Sequence, residues 1–180
     1  MKTSSGLRVV IVNGKPRCGK TTFENCCETI LGSAYCKRRS TVDKVKEIAF
    51  EGGWDGEKTL EARKFLSDLK DLFTKFNDMP MNDIVTYLKG WEDDLKYFHV
   101  GNNPHVLFVD DREPEHIDRL KKKLNAITVL IRRPGDENVE TSNDSDEFVF
   151  NYEYDYTILN EGSLDDLKKD AERFINWIFS

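Results

Sequence analysis

Eight consecutive residues, Gly14-Lys15-Pro16-Arg17-Cys18-Gly19-Lys20-Thr21, follow the pattern G-x-x-x-x-G-K-[ST]. Residues of these types at this spacing can cradle an anion. The loop amides point inward, and the dipole of a following helix adds partial positive charge. Lys20 would reach the β- and γ-phosphates of a nucleotide, and the Thr21 hydroxyl would bind magnesium. The context the motif requires is present. An apolar run from Leu7 to Val12 precedes it, and residues 22–31 read as a helix.

Other polar clusters also follow apolar runs. Asp110 and Asp111 come directly after Val106–Val109. A carboxylate there can hold magnesium opposite Thr21, and Asp110, which ends the strand, is the better candidate. Arg112 could clamp a phosphate bidentately. Arg132 and Arg133 end the next apolar run, where paired guanidiniums suit neutralisation of transition-state charge. Lys44, Lys46, Arg63 and Lys64 lie on predicted helices and could grip an acceptor phosphate, although taken alone they are better explained as solvated helix faces. Lys121-Lys122-Lys123 reads as a solvated face. His99, His105 and His116 are scattered and receive no role. Trp54, Trp91 and Trp177 read as core, with stacking on a base an alternative for Trp54. No G-x-S-x-G, H-E-x-x-H or N-K-x-D motif occurs, which argues against a serine hydrolase, a zinc protease and a GTPase.

The elements that must position these residues alternate. Strands are predicted at 7–12, 35–38, 106–109, 126–131 and 154–159. Helices are predicted at 19–31, 41–50, 57–76, 82–98, 114–124 and 164–179. The short apolar runs suit parallel strands buried on both faces. Ser40 or Thr41 would cap the second helix, and Gly32 would end the first. In the long helix, Leu60, Phe65, Leu69, Leu72, Phe73 and Phe76 form an apolar stripe. Residues 136–147 are acidic and polar and read as a mobile loop. Strand–helix alternation implies a three-layer α/β/α fold with a five-stranded parallel sheet and right-handed crossovers. Ligands in such sheets bind beyond the carboxyl ends of the strands. The phosphate loop, Asp110–Arg112, Arg132-Arg133 and Asn160 all fall there.

A length of 180 residues suits one domain, with 38% hydrophobic and 33% charged residues. Within it, about 40–100 is a helical region for the acceptor, and about 133–152 a lid-like loop. The net charge of −6 argues against a nucleic-acid partner. The four cysteines form no C-x-x-C pair and read as reduced thiols. No apolar run approaches a membrane span, and the first six residues do not read as a signal peptide, so a cytoplasmic protein is expected. The oligomeric state is open.

Five segments together resemble the small nucleoside and nucleotide monophosphate kinases of the phosphate-loop NTPase superfamily, in particular the bacteriophage-type deoxynucleoside monophosphate kinases. They are Val12–Phe23, Ser40–Ala49, Val109–Glu115, Ile131–Pro134 and Tyr154–Leu164, and their order and spacing carry the likeness. The resemblance implies ATP and magnesium as cofactors. Gly14 to Gly19, Lys20 and Thr21 or Thr22 would hold the phosphates and metal. It puts Lys46 and Arg63 on the acceptor side, and Asp111 and Arg133 are further candidates there. Asp110 and Arg112 would lie between donor and acceptor. Arg132 would be a lid arginine, and the Asn160 turn would lie near the adenine. Thr21 stands where such phage kinases often carry an aspartate. The implied activity is phosphoryl transfer to a nucleoside monophosphate. Two alternatives stay open: a kinase of another small acceptor, and a nucleotide-binding interaction protein without transfer activity.

Overall fold

The computed structural model describes residues 6–98, 103–136 and 148–180. Five strands, β1 (Leu7–Asn13), β2 (Cys36–Ser40), β3 (His105–Asp110), β4 (Ile127–Arg132) and β5 (Tyr156–Leu159), form one parallel sheet in the order β2-β3-β1-β4-β5. The helices are α1 (Lys20–Leu31), α2 (Asp43–Glu51), α3 (Leu60–Asn77), α4 (Met79–Tyr97), α5 (Pro114–Leu124) and α6 (Leu164–Phe179). This is the three-layer α/β/α arrangement that the alternation predicts.

Strand β1 is buried on both faces, and its residues divide by parity. Val10 and Val12 face a core built with Phe23, Cys26 and Cys27 of α1 and Leu167, Ala171, Phe174 and Ile178 of α6. Val9 and Ile11 face a second core with Ile84, Leu88 and Trp91 of α4 and Ile117 and Leu120 of α5. This period of two explains why an unbroken apolar run forms a central strand. The chain leaves β1 toward β2 and leaves β4 toward β5. The two loops diverge, and a crevice opens over the end of β1.

Several sequence expectations are corrected. The α3 stripe is not core: Leu60, Phe65, Leu72 and Phe76 are exposed, Phe76 by 84%, and Lys70 is the buried residue of this helix. Helices α4 and α5 already cover that sheet face, so α3 packs outside, against α2 and α4. Helix α4 starts at Met79 rather than residue 82. Asp78 turns the chain in a single left-handed residue (φ 57°), and Pro80 is tolerated in the first turn. Trp177 is exposed rather than core, and the half-buried Trp54 packs on the exposed Phe50 ring. Neither Ser40 nor Thr41 caps α2; the Asp43 carboxylate instead accepts from the Ser40 N–H at 2.7 Å. Gly32 does close α1, with φ 97° and its N–H donated to the Glu28 carbonyl. The four cysteines are free and buried. Residues 137–147 and His99 lie outside the described residues, while Asp136, expected to begin a mobile loop, is buried. Among the described residues no helix is long and apolar enough to cross a membrane.

Helix α6 begins with a capping box. The Ser163 side chain accepts from the Asp166 N–H, and the Asp166 carboxylate accepts from the Ser163 N–H and hydroxyl. Those bonds pull the Asp166 carboxyl down to about 2. A lowered carboxyl stabilises the fold above its ordinary range, and the contribution is lost as pH falls through about 2. Ser163→Ala should cost about 1 kcal/mol in denaturant melts at neutral pH. The gap to wild type should narrow as pH falls below 4; an unchanged gap would contradict the box.

Candidate functional site

The phosphate loop is shaped by two close approaches. At Gly14 (φ 147°) an added Cβ would stand 2.4 Å from the Ile131 carbonyl oxygen. At Gly19 (φ 107°) it would stand 2.4 Å from the Asn160 side chain. Gly14 is required by space and by backbone angle, and Gly19 by its backbone angle, since an added carbon there would push only on the Asn160 amide. Arg17 takes the left-handed region between them (φ 64°). Asn160 braces the loop from the end of β5: its side-chain amide donates to the Cys18 carbonyl at 2.9 Å, and its N–H donates to the Arg132 carbonyl at 2.7 Å.

Asn13 braces the other side. Its side-chain oxygen accepts from the Gly14 N–H at 2.8 Å, and its amide donates to the Tyr154 hydroxyl at 2.8 Å. Tyr154 donates onward to the Val149 carbonyl at 2.9 Å. The 3-10 turn at Phe148–Asn151 is thereby tied to the loop. From that turn, the Phe150 ring meets Lys15 Nζ at 5.4 Å and the Arg132 guanidinium at 4.4 Å.

Lys20 folds back over the loop, donating to the Gly14 and Lys15 carbonyls at 2.5 and 3.0 Å. Thr21 and Thr22, in the first turn of α1, are exposed, as is Arg17. Pro16 is half-buried, Cys18 buried, and the Cys18 thiol is pushed up by burial.

Asp110 ends β3 in the field of Lys20, Arg112, Asp43 and Lys46, and burial raises its carboxyl above the ordinary range. The charges acting on Asp110 thus come from Lys20 of α1, Lys46 of α2 and Arg112 of its own segment. A glycine cradle, an exposed Thr21 hydroxyl and a carboxylate facing Lys20 fit the phosphates of a nucleotide and a hard cation.

The remaining candidates are placed differently. Arg132 lies 3.8 Å from the buried Asp136 carboxylate, which also accepts from the Arg133 N–H at 2.9 Å. Arg133 is exposed, and so is Arg63 in the first turn of α3. The Asp111 carboxylate is committed elsewhere. It accepts from the Arg112 and Glu113 N–H groups and lies 3.6 Å from Lys70 Nζ.

No family model and no curated protein matches the chain. Solved structures do. A kinase candidate from Chloroflexus aurantiacus is similar over 97% of this chain and 99% of its own, with TM-score 0.51 and 14% identity. TT1252 from Thermus thermophilus is similar over 95% and 97%, with TM-score 0.54 and 13% identity. At such identities the likeness is one of fold alone, a parallel five-stranded sheet between layers of helices.

Sequence reasoning missed Glu24, one helical turn after Lys20. It is buried in α1, and its Oε2 lies 3.3 Å from Arg38 Nε. Its other oxygen has no hydrogen-bond partner among the described residues. Burial first, then the Asp110 charge, push its carboxyl up to about 8, against the pull of Arg38 and Lys20. The available signal was a charge on the core face of a helix, beside Phe23 and Cys27. A raised carboxyl favours the folded state at low pH, and that advantage fades as pH rises through about 8. Relative to Glu24→Gln, wild type should lose on the order of 3 kcal/mol between about pH 5 and pH 8. Denaturant midpoints for both proteins across that range check this; a constant difference would mean that Arg38 keeps Glu24 ionised.

Proposed function

We propose that the chain is a kinase that passes the γ-phosphoryl group of ATP, with magnesium, to a nucleoside monophosphate, a deoxynucleotide in particular. The charges of Lys20, Arg112 and Lys46 acting on Asp110, at the strand end beside the phosphate loop, carry this reading. A phosphate loop alone binds a nucleotide. A loop facing further cations across a carboxylate can also hold a second phosphate in line. The kinase description attached to the Chloroflexus aurantiacus neighbour agrees with it.

In this reading Lys20 swings from its loop carbonyls to the β- and γ-phosphates. Gly14 to Gly19 supply inward amides, and Thr21, with Thr22 beside it, and Asp110 hold magnesium. The metal, when bound, neutralises charge on the phosphate oxygens. Arg112 lies between donor and acceptor, Lys46 meets the acceptor phosphate, and Arg132 leaves the Phe150 ring to reach the transferring group. Asn160 positions the loop under the donor base.

The raised Asp110 carboxyl favours one second reading. A carboxylate of higher basicity could take a proton from a hydroxyl acceptor, which a nucleoside or another small alcohol would offer.

An acceptor panel with ATP and magnesium tests both readings. Transfer to nucleoside monophosphates is expected, with Lys20→Ala slowing it by roughly 10²-fold or more. Turnover of hydroxyl acceptors alone would move the assignment to the second reading. Tight ATP binding without transfer to any acceptor would overturn both, as would normal turnover in Lys20→Ala.

A further inference from the structure

We propose that Asp111, Glu113 and His116 form a binding site for a divalent transition-metal ion of the zinc type, apart from the magnesium position at Thr21 and Asp110. The proposal does not depend on the transfer reading. It rests on three donor atoms at the seam between α3 and the β3–α5 connection. Asp111 Oδ2 lies 3.9 Å from His116 Nδ1, and Glu113 Oε2 lies 3.1 Å from the same nitrogen. All three ligand atoms fall within 4.8 Å of one another. Ligands about 2.0–2.2 Å from a shared ion are separated by roughly 3 to 4 Å, so little movement is needed.

The division of the carboxylate oxygens is informative. Lys70 Nζ takes Glu113 Oε1 at 2.8 Å and faces Asp111 Oδ1 at 3.6 Å. Each carboxylate thus gives one oxygen to the ammonium and turns the other toward the imidazole. An ion at the second position leaves Lys70 in place. Asp111 is the independent pointer to a ligand. Its side chain is 1% exposed, and its Oδ2 has no hydrogen-bond partner among the described residues. A buried carboxylate oxygen without a partner is costly. Asp111 and His116 line one small cavity, together with Lys70.

Charge points the same way. Two carboxylates face one ammonium, which leaves a negative charge in a poorly solvated place. A protonated His116 would supply the charge but would leave Oδ2 at 3.9 Å, beyond a hydrogen bond. A metal ion reaches all three atoms. One imidazole with two carboxylates suits zinc, cobalt or nickel better than magnesium or calcium, which prefer oxygen alone.

The test uses the full chain after chelation, with zinc followed by calorimetry and cobalt by its visible spectrum. One ion per chain is expected, with a thermal midpoint that rises with zinc concentration. His116→Gln and, separately, Glu113→Gln should weaken zinc binding by about tenfold or more and alter the cobalt spectrum. Circular dichroism confirms that each variant folds, and either one suffices. Absence of stoichiometric zinc binding in wild type would overturn the proposal and leave a protonated His116 as the second cation. Binding that is unchanged in both variants would overturn it as well.

Discussion

At Gly14 the backbone of the phosphate loop passes so close to the end of β4 that even one added carbon would collide with the Ile131 carbonyl. Everything at the crevice follows from that contact. The loop can turn this tightly because β1 and β4 are locked in register from Val10 to Asn13. Asn13 then folds onto the Gly14 N–H, and Asn160 reaches across from β5 to the Cys18 carbonyl. Three strand ends thus shape one loop. An amide cradle held by its surroundings needs little reorganisation when an anion arrives, which is the condition for strong electrostatic stabilisation.

Around that loop, charge is arranged in opposing pairs. Lys20 and Arg38 flank Glu24, and Lys20, Arg112 and Lys46 surround Asp110. Burial raises both carboxyls despite these cations. The cause is desolvation, and a hard cation beside Asp110 would favour its charged form. The same argument explains why Glu24 tolerates burial: a neutral carboxyl needs no counterion, and Asp110 nearby discourages a second negative charge.

The parts of the fold that were legible in sequence are those with a strong periodic signal. Strands β1, β3 and β4 read as continuous apolar runs because helices cover both faces of the sheet. Edge strands were less legible. β2 is Cys-Lys-Arg-Arg-Ser, and nothing in that string marks where pairing with β3 ends. The strand predicted at 154–159 begins two residues later, at Tyr156, and the Tyr154 hydroxyl is used by Asn13. The α3 stripe misled for a related reason. Periodicity shows that a helix has an apolar face, not whether a neighbour remains to cover it. At the site, the phosphate loop announces itself in eight residues. Glu24, Lys70, Phe150 and His116 do not, because each acquires meaning from partners distant in sequence, as Lys70 does from Glu113.

The two aspartates after β3 show how one strand end can serve two places. Neighbouring strand residues point to opposite faces. Asp110 lies in the field of Lys20 and Lys46 on the crevice side, while Asp111 meets Lys70 and His116 on the α3 and α5 side. Lys70 is the buried residue of a helix whose apolar side chains are largely exposed. The ion pairs of Lys70 with Asp111 and Glu113 are therefore a principal tie between α3 and the sheet. Breaking one would weaken that tie and would also leave a buried charge uncompensated next to Asp110. The position of the outer helix and the electrostatics of the crevice are thus joined through adjacent peptide units. No long-range pathway is needed, because the distance between the two sites is one residue of β-strand backbone.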